Sequence, residues 1–334
     1  MAKNVTIYDI ASRLNISPST VSRALAGNPL ISSRTEKLVR RTANEMGYSD
    51  VKLNENKANT VAIIVPEINN YFYSRIISSI QDSLRGNYLL SILCSENSFQ
   101  KEIDIVSQLT AENIRCLIIS QSMDSLDTKH LIMAQKRGIN IILFNRVFCT
   151  GEYPVFHLDN YNDSYLLVNH LVSSGRTRIA FAAKHFNCPI YKERVAAYKD
   201  ILSQNNIEYN PDYLIYSELT LDDTYEIVGR LIKLDKIPDA IIMPNFVSAL
   251  QTCSVLKLNG LSVPQDVAVV SFDESPECCY SSPSITSIER PLKEIGDDIA
   301  SAVMEVCSGD VSDNRSLIKI YSSNIIIRGS SLSY

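Results

Sequence analysis

Residues 5–26 read VTIYDIASRLNISPSTVSRALA. The first half spaces its apolar residues along one helix face, namely Ile7, Ile10, Ala11 and Leu14. Ser17 then stands where it can cap a second helix that starts at Pro18, a position where the missing N–H costs nothing. The buried stripe of that second helix consists of Val21, Ala24 and Leu25. The segment therefore predicts two short helices joined by a tight turn, a helix-turn-helix.

A third helical pattern follows Gly27-Asn-Pro29 and completes a small all-α domain over residues 1–48. Ser33 and Glu36 have the spacing of a capping box. The residues expected to face inward are Leu38, Val39, Thr42, Ala43 and Met46. An ordinary three-helix bundle would show the same buried faces, so this pattern alone does not distinguish it from a DNA-binding domain.

The outer face of the second helix carries Pro18, Ser19, Ser22 and Arg23. In a helix-turn-helix, the N-terminal residues of the second helix meet the base edges in the major groove. Small hydroxyl side chains permit a close approach, and arginine can reach guanine or phosphate. Residues 1–58 contain nine Lys/Arg and five Asp/Glu, whereas the whole chain has a net charge of −5. A basic head on an acidic body attracts phosphate at one end, so double-stranded DNA is the predicted partner.

The rest of the composition indicates a cytoplasmic protein without a metal or cofactor. No run of 18 apolar residues and no signal-peptide pattern is present. The eight cysteines are scattered without a Cys-x-x-Cys, and the four histidines lack metal-ligand spacing. Reduced core thiols are therefore expected, and redox activity of the adjacent Cys278 and Cys279 is the alternative to an incidental pair.

Motifs of catalysis are missing from the sequence. It contains no Gly-x-Ser-x-Gly, no P-loop and no Gly-x-Gly-x-x-Gly, and its eleven glycines are few for phosphate-binding loops. We therefore expect that the protein is not an enzyme.

From Val61 onward, short β-rich runs alternate with helical patterns. The predicted strands lie at 61–65, 89–94, 116–119, 139–144, 155–158, 179–182, 213–216, 240–243 and 267–270. Continuous apolar strands between amphipathic helices are typical of parallel sheets covered on both faces. The number of units exceeds one ordinary sheet, so two α/β lobes are expected, with a ligand cleft between them at the carboxyl ends of the strands.

Polar and aromatic clusters follow several of these strands. They are Tyr71 to Tyr73, Asn145-Arg146, Asn245 and Asp273-Glu274. Taken singly, each is more readily a helix cap or a loop residue than a ligand-binding residue. Together they favour a cleft that binds a polar, hydroxyl-rich solute.

Over nearly its full length the chain resembles the lactose-repressor/galactose-repressor (LacI/GalR) family of bacterial transcription regulators. The resemblance rests on the segments 5–11, 17–23, 47–48, 66–73, 258–273 and 282–292. It implies a homodimer that represses transcription from palindromic operators. It also implies a body shaped like a periplasmic sugar-binding protein, with a sugar or sugar derivative as allosteric effector.

The resemblance also assigns roles to particular residues. The DNA contacts would be Thr6, Tyr8, Ser17, Ser19, Thr20, Ser22, Arg23 and Asn28, with residues 18, 19 and 23 nearest the bases. The effector contacts would be Tyr71, Phe72, Arg146, Arg194, Asn245 and Asp273.

Three positions in the expected cleft depart from the family pattern. Asn145 and Phe246 stand where aspartate is usual, and Arg290 stands where the lactose repressor has glutamine. Fewer acids and an added arginine suggest a phosphorylated or carboxylated sugar rather than a neutral one.

Residues 49–60 depart further, because the family has a hinge helix there whose leucine wedges into the minor groove. This segment is shorter and polar, and only Leu53 can serve as the wedge. We expect a weak hinge and reduced operator bending. The effector domain then covers 61–334, with one lobe at about 61–158 and 290–320 and the other at about 159–289 and 321–334.

The same residues also fit two alternatives. One is a family member whose altered hinge lets it bind operator only weakly or with a co-effector. The other is a solute receptor or sugar-binding protein, which would share the body but have no use for a DNA-binding head.

Overall fold

The computed structural model describes residues 5–25, 31–46, 59–112, 114–148, 153–184, 188–217, 221–308 and 317–332. The chain divides into two compact units, Met1–Asn59 and Thr60–Tyr334. Asn28, Leu53 and most of the expected hinge lie outside the described residues.

The described residues of the first unit form three helices, α1 (Ile7–Leu14), α2 (Pro18–Leu25) and α3 (Ser33–Glu45). The start of α1 is fixed by Asp9, whose carboxylate accepts hydrogen bonds from the backbone N–H of Thr6 at 2.7 Å and from its hydroxyl at 2.6 Å. Ser17 caps α2, since its Oγ accepts from the backbone N–H of Thr20 at 3.1 Å. The predicted helix-turn-helix is therefore confirmed.

A small apolar core holds these helices together. It consists of Ile10, Ala11, Val21, Ala24, Leu25, Val39 and Ala43. The inward placement of Leu38 is wrong, because its side chain is 44% exposed while the next residue, Val39, is fully buried. Successive residues turn by about 100° around a helix, so with Val39 directed at the core, Leu38 lies at the edge of the buried face.

The capping residue of α3 also differs from the prediction. The helix begins at Ser33, so Ser32 occupies the cap position, and its Oγ accepts from the backbone N–H of Thr35 at 3.2 Å. The capping box predicted from Ser33 and Glu36 is therefore wrong, because the cap lies one residue earlier, at Ser32.

The second unit contains two lobes, each built on a six-stranded sheet. The first lobe has β1 (Thr60–Val65), α4 (Tyr71–Leu84), β2 (Leu89–Cys94), α5 (Phe99–Glu112), β3 (Cys116–Ile119), α6 (Lys129–Lys136), β4 (Asn140–Phe144), β5 (Val155–Leu158), α12 (Leu292–Ser308) and β11 (Ile318–Tyr321). Its strand order is β11-β5-β4-β3-β1-β2, and all of its strands are parallel.

The second lobe repeats this plan. It has α7 (Asn160–Ser173), β6 (Ile179–Ala183), α8 (Pro189–Gln204), a 3₁₀ turn (Pro211–Tyr213), β7 (Leu214–Tyr216), α9 (Leu221–Leu231), β8 (Ala240–Met243), α10 (Phe246–Leu258), β9 (Ala268–Ser271), α11 (Glu277–Tyr280), β10 (Thr286–Glu289) and β12 (Asn324–Ile326). Its strand order is β12-β10-β9-β8-β6-β7, and only β12 is antiparallel to its neighbour.

Both faces of each sheet are buried, which explains the continuous apolar runs. In β1, Val61 and Ile63 pack toward α4 and α12, whereas Ala62 and Ile64 pack toward α5 and α6. The second sheet is covered in the same way by α7 and α8 on one face and by α9 and α10 on the other. The two-lobed α/β fold with parallel sheets is confirmed, and three strands, β10 to β12, were not predicted.

The chain passes between the lobes three times, after β5, after β10 and between β11 and β12. These passages place the carboxyl ends of both sheets beside the cleft described below. No helix in the part of the chain that the structure describes is long and apolar enough to cross a membrane.

Candidate functional site

The first unit presents the predicted DNA contacts on its surface. Thr6, Ser17, Ser19, Ser22 and Arg23 are exposed, and Pro18 and Thr20 are half-buried. Tyr8 is 68% exposed, so its side chain is accessible to a partner.

The exposed groups of α2 share one side of the helix. Ser19, Ser22 and Arg23 are separated by three and four positions and therefore lie next to one another. The first turn of α2 contains no acidic residue, so its amide groups and partial positive charge are not neutralised there. This surface can receive phosphate and leave Arg23 free to reach a base edge.

Hydroxyl groups at the start of α2 form a small network. Ser17 Oγ lies 2.8 Å from Ser19 Oγ and 2.8 Å from Thr20 Oγ1. Since Ser17 also caps the helix, its hydroxyl fixes the position of the two neighbouring hydroxyls that were predicted to contact DNA.

In the second unit, the predicted effector residues come from six different elements. A cavity of about 60 Å³ is lined by Phe72, Asn145, Arg146, Arg194, Asp273 and Arg290, together with Asn70, Tyr73, Ile190, Tyr191 and Pro244. Tyr71 and Asn245 line an adjoining cavity of about 430 Å³, which Phe72 and Asp273 also line. The structure therefore brings all eight predicted residues to one cleft between the two lobes.

On the side of the first lobe, Asn145 follows β4 directly. Its φ of 59° is in the left-handed region, which asparagine tolerates better than most residues. Its Nδ2 donates to the hydroxyl of Tyr73 at 2.9 Å, and that hydroxyl lies 3.1 Å from Ser120 Oγ. Burial raises the pKa of Tyr73, so the phenol stays neutral and fixes the side chain of Asn145.

Arg146 belongs to a polar chain that reaches the other lobe. Its guanidinium donates to Asn97, which in turn donates to Glu67 at 2.9 Å. Lys184, which follows β6 in the second lobe, has its Nζ 3.9 Å from the same Glu67 carboxylate. This contact joins the two lobes across the cleft.

Arg194 lies on α8 and is only 5% exposed. Its guanidinium stacks 4.0 Å above the ring of Phe272, and its Nε donates to Asn160 at 3.2 Å. Burial, together with the charge of nearby Arg290, lowers the pKa of Arg194. The group nevertheless remains a cation at any physiological pH, because a guanidinium does not deprotonate in proteins.

Arg290 follows β10 and is held by two carboxylates of the second lobe. Its Nε lies 3.3 Å from Asp163, and its Nη1 donates to Asp273. Burial works to lower the pKa of Arg290, but the two aspartates outweigh it and raise that pKa. Among the described residues, neither Nη2 of Arg290 nor Oδ1 of Asp163 has a hydrogen-bond partner.

Asn245 combines the two roles that the sequence left open. Its Oδ1 caps α10 by accepting from the backbone N–H of Ser248 at 2.9 Å. It also lines the larger cavity, so the cap places an amide at the edge of the cleft.

Sequence reasoning did not find several residues that line the cleft or hold its arginines. Asn160 and Asp163 begin α7 directly after β5, so the rule of polar residues at strand ends would have found them. Tyr191 lies within α8 and lines the smaller cavity, and no local signal marks it. Within the described ranges, no group of three or more His, Cys, Asp or Glu is arranged to hold a metal ion.

Both units of the chain match families of known proteins. Residues 6–50 match the family model of bacterial regulatory proteins of the lacI family, and residues 168–331 match the periplasmic binding protein-like domain. The chain belongs to the lacI family of bacterial regulatory proteins. This lacI-family chain is 28% identical over 332 residues to the HTH-type transcriptional repressor CytR of Escherichia coli (strain K12), which covers 97% of this chain and 96% of CytR.

Solved structures show the same fold. The lac repressor dimer bound to operator and the anti-inducer ONPF has a TM-score of 0.73 at 18% identity, and the match covers 99% of this chain and 100% of that one. The complex of the transcriptional regulator CelR with cellobiose has a TM-score of 0.72 at 22% identity and covers 98% and 100%. The lacI-family protein is thus a DNA-binding transcriptional regulator, and its relatives are regulators rather than enzymes.

Proposed function

We propose that this lacI-family regulator represses transcription by binding a palindromic operator as a homodimer. We further propose that a sugar or sugar derivative in the cleft controls this binding. The observation that carries the proposal is the occurrence, in one chain, of a helix-turn-helix with an exposed hydroxyl and arginine face and a two-lobed unit with a polar cleft. CytR, a repressor, and CelR, solved with cellobiose, support it by analogy.

Exposed apolar residues in the second unit support the homodimer. Val247 and Leu250 lie one turn apart on α10 and are both exposed, as is Tyr280 on α11. In the first lobe, Leu89 and Ile92 are exposed on the edge strand β2. Such side chains are commonly covered in symmetric dimers, and a dimer would present two reading helices to the two halves of a palindrome.

The cleft dimensions suggest how an effector acts. The cavity beside the three arginines has about 60 Å³, well below the roughly 300–1000 Å³ of typical ligand pockets, whereas the adjoining cavity has about 430 Å³. A sugar that contacts the arginines therefore requires the lobes to separate at the smaller cavity. The effector then biases the equilibrium between lobe arrangements by binding one of them better. Because the coupling is reciprocal, an effector that changes operator affinity has its own affinity changed by operator to the same degree.

We also propose roles for individual residues in DNA binding. Ser19, Ser22 and Arg23 would read the major groove, and Leu53 would be the only wedge available to the hinge. Since its target is chromosomal DNA, we place the regulator in the cytoplasm.

The test is binding of the full-length protein to a fluorescent duplex from the region upstream of its own gene. We expect binding at low ionic strength that weakens steeply with added salt, because contacts to phosphate release counterions. A scrambled duplex of the same length is the control for sequence specificity. If no duplex is bound at low salt, with or without a pool of small metabolites, the proposed function is wrong. Binding that appears only with the metabolites would identify the variant that requires a co-effector.

A further inference from the structure

We propose that the effector is a hydroxylated, sugar-like molecule that carries an acidic group, a carboxylate or a phosphate, and that this group is bound by Arg290 and Arg194 with Arg146 nearby. The inference rests on the proposed function, in which this cleft is the effector site.

The charge of the cavity wall is the first observation. Three of its lining residues are arginines, and only one, Asp273, is acidic. Asp163 pairs with Arg290 but does not line the cavity. Arg290 pairs with both aspartates, and Arg146 reaches Glu67 through Asn97, so Arg194 is the buried cation that has no ion pair with a described residue. A neutral sugar leaves that charge buried without a counterion when the lobes close over it, whereas an acidic ligand neutralises it.

Unused hydrogen-bond donors are the second observation. The Arg290 side chain is only 5% exposed, and its Nη2 is buried without a hydrogen-bond partner among the described residues. Arg194 is equally buried, and its Nε, which donates to Asn160, is its one side-chain nitrogen with a hydrogen bond to a described residue. Two buried guanidinium groups with spare N–H donors beside one cavity match the several acceptor oxygens of a carboxylate or phosphate.

The surrounding aromatic residues fit the sugar part of such a ligand. The ring of Phe72 lies 5.6 Å from the guanidinium carbon of Arg290, and Tyr191 lies 5.6 Å from that of Arg194. Burial raises the pKa of Tyr191, so it adds no negative charge that would oppose an anion. The apolar rings therefore border the cationic groups and provide flat surfaces for a sugar ring.

Asp273 predicts an unusual response to mutation. It is the acidic residue nearest the proposed anion, it shares Arg290 with that anion, and its side chain is partly exposed. Asp273→Asn removes this competition, so affinity for an anion should increase by about tenfold. If the site recognised a neutral sugar through hydrogen bonds to the carboxylate, the same substitution would weaken binding.

The experiment measures thermal stabilisation and calorimetric binding of the full-length protein at constant ionic strength. The probes are inorganic phosphate and matched sets of sugars, namely glucose, glucuronate and glucose 6-phosphate, and ribose and ribose 5-phosphate. Arg290→Gln tests the site, and Arg137→Gln is the matched control, because Arg137 is exposed at the end of α6 and lies outside both cavities.

We expect phosphate and the acidic sugars to stabilise the wild type and Arg137→Gln, to act more strongly on Asp273→Asn, and to have little effect on Arg290→Gln. The arms with carboxylate and with phosphate distinguish the two acidic groups. If Arg290→Gln does not fold, the direction of change in Asp273→Asn decides the question. Neutral sugars that bind as well as their acidic counterparts, equal responses of the two arginine variants, or no response to any acidic probe would overturn the inference.

The duplex-binding assay separates this inference from the proposed function. A protein that binds its operator but responds only to neutral sugars refutes the inference alone. A protein that binds no duplex refutes the proposed function, whatever the cleft binds.

Discussion

A single methyl group added at Gly296 should destabilise the second unit. Gly296 lies in α12 where this helix packs on α4. A Cβ at this position would lie 2.5 Å from Ser79 Cβ and 2.9 Å from both Ser79 Oγ and the backbone oxygen of Ile76. Non-bonded carbon atoms prefer about 3.5–4.0 Å, so the two helices would have to move apart by roughly 1 Å.

Two opposing effects determine the size of the change. Replacing glycine by alanine inside a helix stabilises it by about 1 kcal/mol. Overpacking a core costs about 1–3 kcal/mol and sometimes more. Here the upper end applies, because one of the obstructing atoms belongs to the backbone and Ser79 also donates to Lys293 O and Asp297. Gly296→Ala should therefore lower the free energy of unfolding by about 1–2 kcal/mol overall.

The chain provides a matched control in Gly229, which lies within α9. A Cβ there would meet no atom within 4 Å. Gly229→Ala should consequently stabilise the protein by about 0.5–1 kcal/mol, through backbone entropy alone. Urea unfolding followed by circular dichroism and by tyrosine fluorescence measures both variants, since the chain contains 17 tyrosines and no tryptophan.

A double-mutant cycle completes the test. Ser79→Gly removes two of the three obstructing atoms, so the loss caused by Gly296→Ala should be smaller in that background. Ser79→Ala keeps the closest atom, Cβ, and should give little relief. If Gly296→Ala is as stable as the wild type, or as Gly229→Ala, the steric reasoning is refuted.

Three further predictions concern DNA binding, pH and a buried ion pair. Arg23→Ala should weaken operator binding by about 1–3 kcal/mol, measured by fluorescence anisotropy, without changing the unfolding midpoint of the second unit. Burial lowers the pKa of His157 and of His170, so the unfolded chain binds more protons just below the ordinary histidine pKa. The contribution of the two neutral histidines to the free energy of unfolding is therefore complete above about pH 6.5 and is lost as the pH falls through that value toward the folded pKa. Urea unfolding midpoints at about pH 7.5 and 5.5 would measure this loss. Glu274→Gln should destabilise the second lobe by about 1–3 kcal/mol in urea unfolding, because its carboxylate binds the Arg328 guanidinium at 2.9 and 2.8 Å.

Each of these three predictions can be contradicted by a specific result. Operator affinity unchanged in Arg23→Ala would remove this residue from the DNA contacts. Replacing His157 and His170 by asparagine should flatten the acid limb of the pH profile, and an unaltered limb would assign it to other groups. Glu274→Gln with wild-type stability would show that the ion pair with Arg328 adds nothing to the second lobe.

Much of the fold could be predicted because its signals are local. The apolar spacing of α1 and α2, the cap at Ser17 and the continuous apolar run of β1 each depend on residues a few positions apart. The prediction for Leu38 was wrong because local spacing does not show which of two adjacent apolar residues in a helix contacts the core. The strands β10 to β12 were missed since their runs are short and partly polar, and pairing with distant strands makes them strands.

The cleft was predictable only in part, for a geometric reason. Polar residues after parallel strands meet at one edge of a sheet, so Asn145, Arg146, Asn245 and Asp273 could be grouped from the strand ends. Tyr191 has no such position in the sequence and lines the cavity only because α8 crosses the second sheet there.

By itself, the sequence determined the helix-turn-helix, the alternation of strands and helices, and the kind of residues available for a cleft. Each of these follows from interactions between neighbours along the chain. Only the tertiary structure decided that Arg290 faces Asp163, 127 positions away, and that Lys184 of one lobe reaches Glu67 of the other. Those contacts depend on the order of strands in two sheets and on three passages between lobes, which no short stretch of residues encodes.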